Sequence, residues 1–257
     1  MTLAELALLF FAAVLAGVLN SVAGGGSFIS FPALLFTGVA PVVANATNSV
    51  ALWPAGIASA FAYRKDMKQP RAQLLALGAA SLAGGIVGAI LLLRTRESTF
   101  VALLPFLLLV ASVVFTFGSV LTARLRGRGA SGTGGALAGA TILQLVISIY
   151  GGYFGGGMGI MMLATLSIMG MTDIHAMNGL KTLLGTLING VAVVAFIIAG
   201  GVAWAPASVM IVGGTIGGFA GASIARRIAP KWVKRFVLVV AWGMTAYFFA
   251  KPYLSST

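Results

Sequence analysis

The chain has 257 residues, 60% of them hydrophobic and 8% charged, with 16 Lys and Arg against four acids and a net charge of +12. Apolar runs near 20 residues, long enough to cross a ~30 Å hydrocarbon layer, recur from end to end and exclude a soluble globular domain. The basic residues fall mostly in short loops between these runs, where orientation bias explains them better than nucleic-acid binding does; with no cysteine and one histidine, disulfides, thiolate metal sites and a bound cofactor are not expected.

In chain order, residues 4–23 form a first apolar segment that runs into Ala23-Gly24-Gly25-Gly26-Ser27-Phe28, followed by a short apolar piece ending near Thr37. The start lacks the basic region of a signal peptide, so this segment is expected to remain in the mature fold. Full spans are predicted over about 43–63, 72–93 and 99–122. Residues 134–154 then lead into Gly155-Gly156-Gly157-Met158 and a second short piece ending near Gly170, and full spans follow at about 174–199, 205–226 and 232–250. Each short piece covers only about half a bilayer at ~1.5 Å per residue, so it reads as a broken helix or re-entrant hairpin.

The two irregular regions occupy corresponding places. Gly24–Gly26 precedes Gly155–Gly157 by 131 residues; Asn45–Ser49 precedes Asn178–Thr182, and Gly84–Gly88 precedes Gly217–Gly221, by 133. Three matches in order indicate an internal duplication of the kind common in transporters. The predicted organisation is an N-terminal repeat over 1–123, a basic cytoplasmic linker over 124–133 and a C-terminal repeat over 134–257.

Charge decides how the repeats are oriented. Loop 64–71 carries Arg64, Lys65, Lys68 and Arg71, whereas its counterpart at 197–204 carries no charge. The positive-inside rule then puts 64–71, 124–128 and 226–235 in the cytoplasm, with Arg94, Arg96 and Lys251 outside. This predicts an all-α polytopic membrane protein of two inverted-topology repeats, each a glycine-broken hairpin plus three transmembrane helices.

Irregular backbone survives at membrane depth only where protein or a wet cavity surrounds it, and glycine permits the conformations such a break needs. A helix restarting at Ser27 or Met158 would present free N–H groups to an anion, so two breaks entering from opposite sides would form an anion site near the midplane. The isolated glycines of Gly84–Gly88 and Gly217–Gly221 read instead as close-packing positions.

Lys181 lies in an apolar stretch, where a charge is costly unless paired or hydrated; it either contacts substrate or snorkels to the nearby surface. Its repeat partner is Asn48, which could sit across the same cavity. Asn45, Thr47, Asn48 and Ser49 form a polar patch that Asn178 and Thr182 repeat, and such groups also serve to bridge helices. Gln144 and Asn189 carry the same ambiguity, while Asp173 and His175 read as solvated loop residues. No HExxH, GxSxG or buried acid pair supports catalysis, so an enzyme is not expected.

Residues 17–56 and 151–190, which contain both glycine runs and both polar patches, resemble the two signature regions of the TauE/SafE sulfite exporter family, also called TSUP transporters. The resemblance covers nearly the whole chain. It implies a secondary transporter carrying sulfite, sulfoacetate or another organosulfonate outward across a prokaryotic plasma membrane. Carried onto this chain, it implies a substrate region at Gly24, Gly25, Gly26, Gly155, Gly156 and Gly157 with Asn45, Asn48, Asn178 and Lys181; the helix start at Ser27 joins them from the reading above. The expected partners are a small anion and membrane lipids, with a homodimer left open. No acid lies deep in a span, so proton coupling or passage down the membrane potential fits better than a sodium site. A passive anion channel of the same architecture and a non-transporting scaffold remain as alternatives.

Because the chain has no cysteine, its topology is directly testable. Single cysteines at Ala40 and Thr172 should be labelled by an impermeant maleimide from opposite membrane faces, and labelling from one face would define parallel repeats.

Overall fold

Glycines and prolines partition the apolar chain into helices. The computed structural model describes residues 1–22, 25–65, 67, 69–125, 134–224 and 230–254. Among these the chain forms ten helices and no strand: α1 Leu3–Val22, α2 Ser27–Phe36, α3 Pro41–Ala62, α4 Arg71–Arg94, α5 Glu97–Leu125, α6 Gly134–Tyr153, α7 Met158–Ile168, α8 Ile174–Ile198, α9 Trp204–Ile224 and α10 Pro230–Leu254. Residues 126–133 of the expected linker and 225–229 of the last basic loop lie outside the described residues.

The helix starts follow local chemistry. Thr2 and Glu5 form a reciprocal box at α1: the Thr2 amide donates to Glu5 Oε2 at 2.8 Å and the Glu5 amide to Thr2 Oγ1 at 3.3 Å, satisfying two amides that a helix N-terminus leaves free. Pro41 opens α3, where its missing N–H costs nothing. Asp173 caps α8 by accepting the His175 amide on Oδ1 at 2.9 Å. The two short helices end alike, each on a glycine with positive φ, Gly38 (79°) after α2 and Gly170 (85°) after α7.

Both short helices fold back on the long helix before them. Gly26 packs against Ala16 and Asn20 of α1. In the second half, Gly151 lies against Met158, and Ile147 of α6 shares an apolar cluster with Met162 and Leu166 of α7. The long arms are 20 residues each and the returning arms 10 and 11, about 30 Å against about 15 Å.

Helix–helix contacts come in matching pairs. The most extensive are α1 with α9 and α4 with α6, followed by α3 with α9 and α4 with α8; α3 also meets α8, and α5 meets α10. Small residues make the largest contacts possible. A Cβ at Gly88 would stand 2.7 Å from the Tyr153 amide nitrogen of α6, and one at Gly221 would stand 2.7 Å from Val18 Cα of α1. These glycines therefore act as close-packing positions, where small residues let backbones approach.

The central pairs cross with chain directions opposed. Along α3, Trp53 faces Gly190 and Thr186, Gly56 faces Thr186, and Tyr63 faces Gly179 of α8, so rising numbers on one helix meet falling numbers on the other. On α5 and α10, Phe106 meets Phe249, Ser112 meets Thr245 and Thr116 meets Trp242. The Trp53 Nε1–H donates to the Thr186 carbonyl at 3.0 Å, and the Ser112 and Thr245 hydroxyls bond at 3.0 Å; each pair is separated by 133 residues, the spacing of the sequence repeat.

Polarity is distributed inside out. Phe11, Phe36, Phe61, Phe106, Phe117 and Phe219 are exposed, whereas Ser30, Asn48, Ser81, Gln144, Ser148 and Lys181 are buried. Water would not select that arrangement, and lipid would. Among the described residues, four stretches are long and apolar enough by length and composition to cross a membrane: Leu3–Ser21, Arg71–Arg94, Glu97–Gly118 and Ile174–Ile198. Of the six full spans expected from sequence, those at 72–93, 99–122 and 174–199 are among these, whereas those at 43–63, 205–226 and 232–250 are not. The first hairpin arm is itself of spanning length, and α3 falls short on hydropathy because Asn45, Thr47, Asn48 and Ser49 occupy its first half.

A side chain added where backbones touch should cost about 1–3 kcal/mol through overpacking. Gly88→Val is expected to lower the detergent unfolding temperature clearly. Gly139→Ala, whose Cβ would meet nothing within 4 Å, should leave it unchanged or raise it.

Candidate functional site at the paired helix breaks

The chain leaves the helix between Val22 and Ser27 and again between Tyr153 and Met158. Gly25 (φ 88°), Gly155 (79°) and Gly157 (78°) hold left-handed conformations that side-chain-bearing residues rarely adopt. Three side chains satisfy the freed backbone. The Gly26 amide donates to Asn20 Oδ1 at 2.8 Å, Tyr150 donates its hydroxyl to the Gly156 carbonyl at 2.6 Å, and Asn45 Nδ2 donates to the Tyr153 carbonyl at 2.8 Å. Neither Gly26 nor Gly157, which precede α2 and α7, has a side-chain cap. Among the described residues the Gly159 amide, in the first turn of α7, also makes no hydrogen bond.

Both breaks open onto one cavity at mid-height of α3 and α8. Its walls include Asn20, Gly25 and Ser27 from the first hairpin and Phe154, Gly155, Met158 and Gly159 from the second. Asn48 to Ser59 on α3 and Lys181 to Asn189 on α8 complete it. The volume is about 90 Å³, room for about three waters at ~30 Å³ each or for a small anion.

Lys181 lines this cavity and is 4% exposed, so it does not snorkel to the surface. Its Nζ donates to Asn178 Oδ1 at 3.0 Å, one turn away on the same helix. The stem runs beside Gly159, where a Cβ would stand 3.3 Å from Lys181 Cδ; a glycine there leaves the stem its channel. Asn48 lines the same cavity, but both ends of its amide are engaged by α2, Oδ1 accepting from Ser30 Oγ and Nδ2 donating to Ser27 Oγ at 3.2 Å. Ser27 therefore accepts from Asn48 and keeps its own hydrogen to donate. Thr182 Oγ1 is buried and has no hydrogen-bond partner among the described residues, and Thr182 also lines the cavity.

Of the residues picked out by sequence, Gly25, Ser27, Asn48, Gly155 and Lys181 meet at the cavity, and Asn178 stands directly behind Lys181. Gly26, Asn45, Gly156 and Gly157 are not on its wall: Asn45 holds the second break, and Gly156 and Gly157 pack against Phe154 and Ala111. Gly24 lies outside the described residues. Gln144 is remote, donating to Ser81 and Ser148. Sequence reading missed Asn20, Trp53 and Thr186. Asn20 could have been found as the lone amide of α1, and Trp53 and Thr186 by pairing positions across the repeat.

The wall offers an ammonium, two hydroxyls with hydrogens to spare and the Asn189 amide, and it carries no carboxylate. Such a surface favours anions. Among the described residues no cluster of His, Asp or Glu could hold a metal ion.

A lipid-facing helical bundle around a polar cavity is the architecture of a multi-pass membrane protein, and the family and relatives that the chain matches are named as transporters, not enzymes. The chain belongs to the sulfite exporter TauE/SafE family, whose model matches residues 9–248. It is 30% identical over 243 residues to the probable membrane transporter protein YfcA of Escherichia coli K12, covering 94% of this chain and 88% of that one. A probable membrane transporter protein of Haemophilus influenzae is 30% identical over 94% of this chain and 93% of its own length. For the probable membrane transporter protein ORF9 of Sinorhizobium the figures are 29%, 96% and 93%. No solved structure matches the chain.

Thr182→Val keeps the shape and removes the unpaired hydroxyl. It should leave thermal stability unchanged or raise it by about 1 kcal/mol, while weakening binding of any anion that uses the hydroxyl, read by calorimetric titration against wild type.

Proposed function

We propose that the protein is a secondary transporter that exports a sulfur-containing anion, such as sulfite, sulfoacetate or another organosulfonate, across a prokaryotic plasma membrane. The observation that carries this reading is the buried Lys181 ammonium, facing a cavity into which two helix breaks also open. The anion sits there against Lys181, Ser27, Thr182 and the α7 N-terminus, where the helix dipole adds to the attraction. Membership of the sulfite exporter TauE/SafE family supports the substrate class.

Alternating access follows from inverted repeats. We take residues 1–123 and 134–257 as the two halves, with α1 to α5 matching α6 to α10. The opposed crossings of α3 with α8 and of α5 with α10 support inversion: if equivalent helices run antiparallel, the axis relating them lies across the helices and hence in the membrane plane. Rocking one half against the other around the shared cavity would expose it to each side in turn.

Proteoliposomes test this directly. Purified protein should take up radiolabelled sulfite or sulfoacetate with saturable, protein-dependent kinetics and show counterflow; currents at channel rates would overturn the transporter reading, and no protein-dependent flux would leave a scaffold. Lys181→Ala should raise the anion Kd by roughly tenfold to a hundredfold, the worth of a hydrogen bond to a charged group. Asn48→Ala should also weaken binding, because it frees Ser27. Unchanged binding and flux in both variants would refute the site assignment.

A further inference from the structure

The transport reading leaves open what allows the carrier to reorient, and the surroundings of Lys181 bear on this. Three of the four acids are engaged elsewhere: Glu5 with the Thr2 amide, Glu97 Oε1 with the Val42 amide at 3.1 Å, and Asp173 with the His175 amide. The fourth, Asp66, lies outside the described residues. Among the described residues, then, the Lys181 ammonium faces no carboxylate, and its hydrogen-bond acceptor is the neutral Asn178 amide.

The other half supplies no countercharge either. The repeat position of Lys181 is Asn48, held at both ends by Ser27 and Ser30. Much of the remaining wall is apolar, built from Leu52, Trp53, Phe154, Met158 and Met162. An open cavity can hydrate the ammonium. An alternating-access carrier must also pass through a state closed to both sides, in which water is scarce and an uncompensated charge is strongly disfavoured. A bound anion removes that penalty, because the occupied cavity is then close to neutral.

We propose that Lys181 makes the protein an anion exchanger: the two halves reorient rapidly with an anion on Lys181 and slowly without one, so outward movement of one anion is tied to inward movement of another. This inference rests on the transport reading of the same cavity. It treats Lys181 as a barrier to the empty return as well as a binding group.

The test compares uptake of radiolabelled sulfite and sulfoacetate into proteoliposomes that contain either the same unlabelled anion or buffer alone. Potassium and valinomycin clamp the membrane potential, so charge build-up does not limit net flux. Uptake into anion-filled vesicles should exceed uptake into buffer-filled vesicles at least about tenfold, which needs only one rate decade between loaded and empty return. Lys181→Arg, which keeps the charge, should retain the ratio, and Lys181→Gln should bring it toward one. Asn178→Asp is a second and near-isosteric test. It places a carboxylate within hydrogen-bond reach of the ammonium, and the permanently compensated lysine should allow net flux, again bringing the ratio toward one. A native ratio near one, or an undiminished ratio in Asn178→Asp, overturns the inference while leaving transport standing. No flux of either anion under either condition removes the transport reading and this inference together.

Discussion

Backbone that leaves a helix inside hydrocarbon must find its hydrogen bonds within the protein, and the rest of this structure depends on how that demand is met. Asn20 takes the Gly26 amide, Tyr150 gives its hydroxyl to the Gly156 carbonyl, and Asn45 reaches across from the other half to the Tyr153 carbonyl. The last bond ties the second break to α3, so the two halves are joined at the place where each is locally weakest. Only with these partners can the chain turn back at mid-height and leave a polar space between the turns. The cavity is thus a consequence of how the breaks are stabilised.

Stabilising the turns is not sufficient, since two halves with a hollow between them must still adhere in lipid, where no hydrophobic force draws helices together. Close backbone contact supplies the missing attraction. Gly84 and Gly88 seat α4 on α6, and Gly217 and Gly221 seat α9 on α1, with carbonyls and amides of the facing helix where a Cβ would lie. Each of these contacts joins one half to the other. Trp53 with Thr186 and Ser112 with Thr245 add hydrogen bonds between repeat-related positions on the central helices. Dense packing at the flanks and sparse packing at the centre make it possible for the bundle to hold together around a space.

Much of this was legible in the sequence for reasons that can be named. Three consecutive glycines inside an apolar run have no use in close packing, which needs spaced small residues, so Gly24–Gly26 and Gly155–Gly157 read as breaks. A lone lysine in an apolar run had two readings, and its burial rules out the one that carries it to the surface. Other features were not legible because one residue type serves several ends. An amide reads the same whether it holds backbone, as Asn45 does, or faces a cavity, as Asn189 does. The role of Asn20 depends on a turn that brings Gly26 back onto it from six residues away. Trp53 resembles any aromatic side chain of a membrane helix until its partner Thr186 is known. The spanning length of α1 was obscured by the break that follows it, and the polarity of α3 comes from the same residues that build the site.

Positions that correspond in the two matching stretches of sequence meet different partners at the cavity, and its polarity follows from that. A pocket made from two identical halves would present equivalent groups on both sides and give a ligand no reason to prefer either. Here the two halves differ at one repeat position and at the helix that faces it. Asn48 is met by Ser27 and Ser30 of α2, whose hydroxyls engage both ends of its amide. The positions corresponding to those serines in α7 are Met158 and Met161, whose thioethers are at best weak acceptors. With nothing on α7 to bind it, the Lys181 head makes one neutral contact within its own helix and keeps donors for the cavity. Hydroxyls fix the amide on one side, and thioethers leave the cation unengaged on the other. The free donors of the cavity thus lie on the side of α7 and α8, and the anion binding proposed above rests on this difference between the two sides.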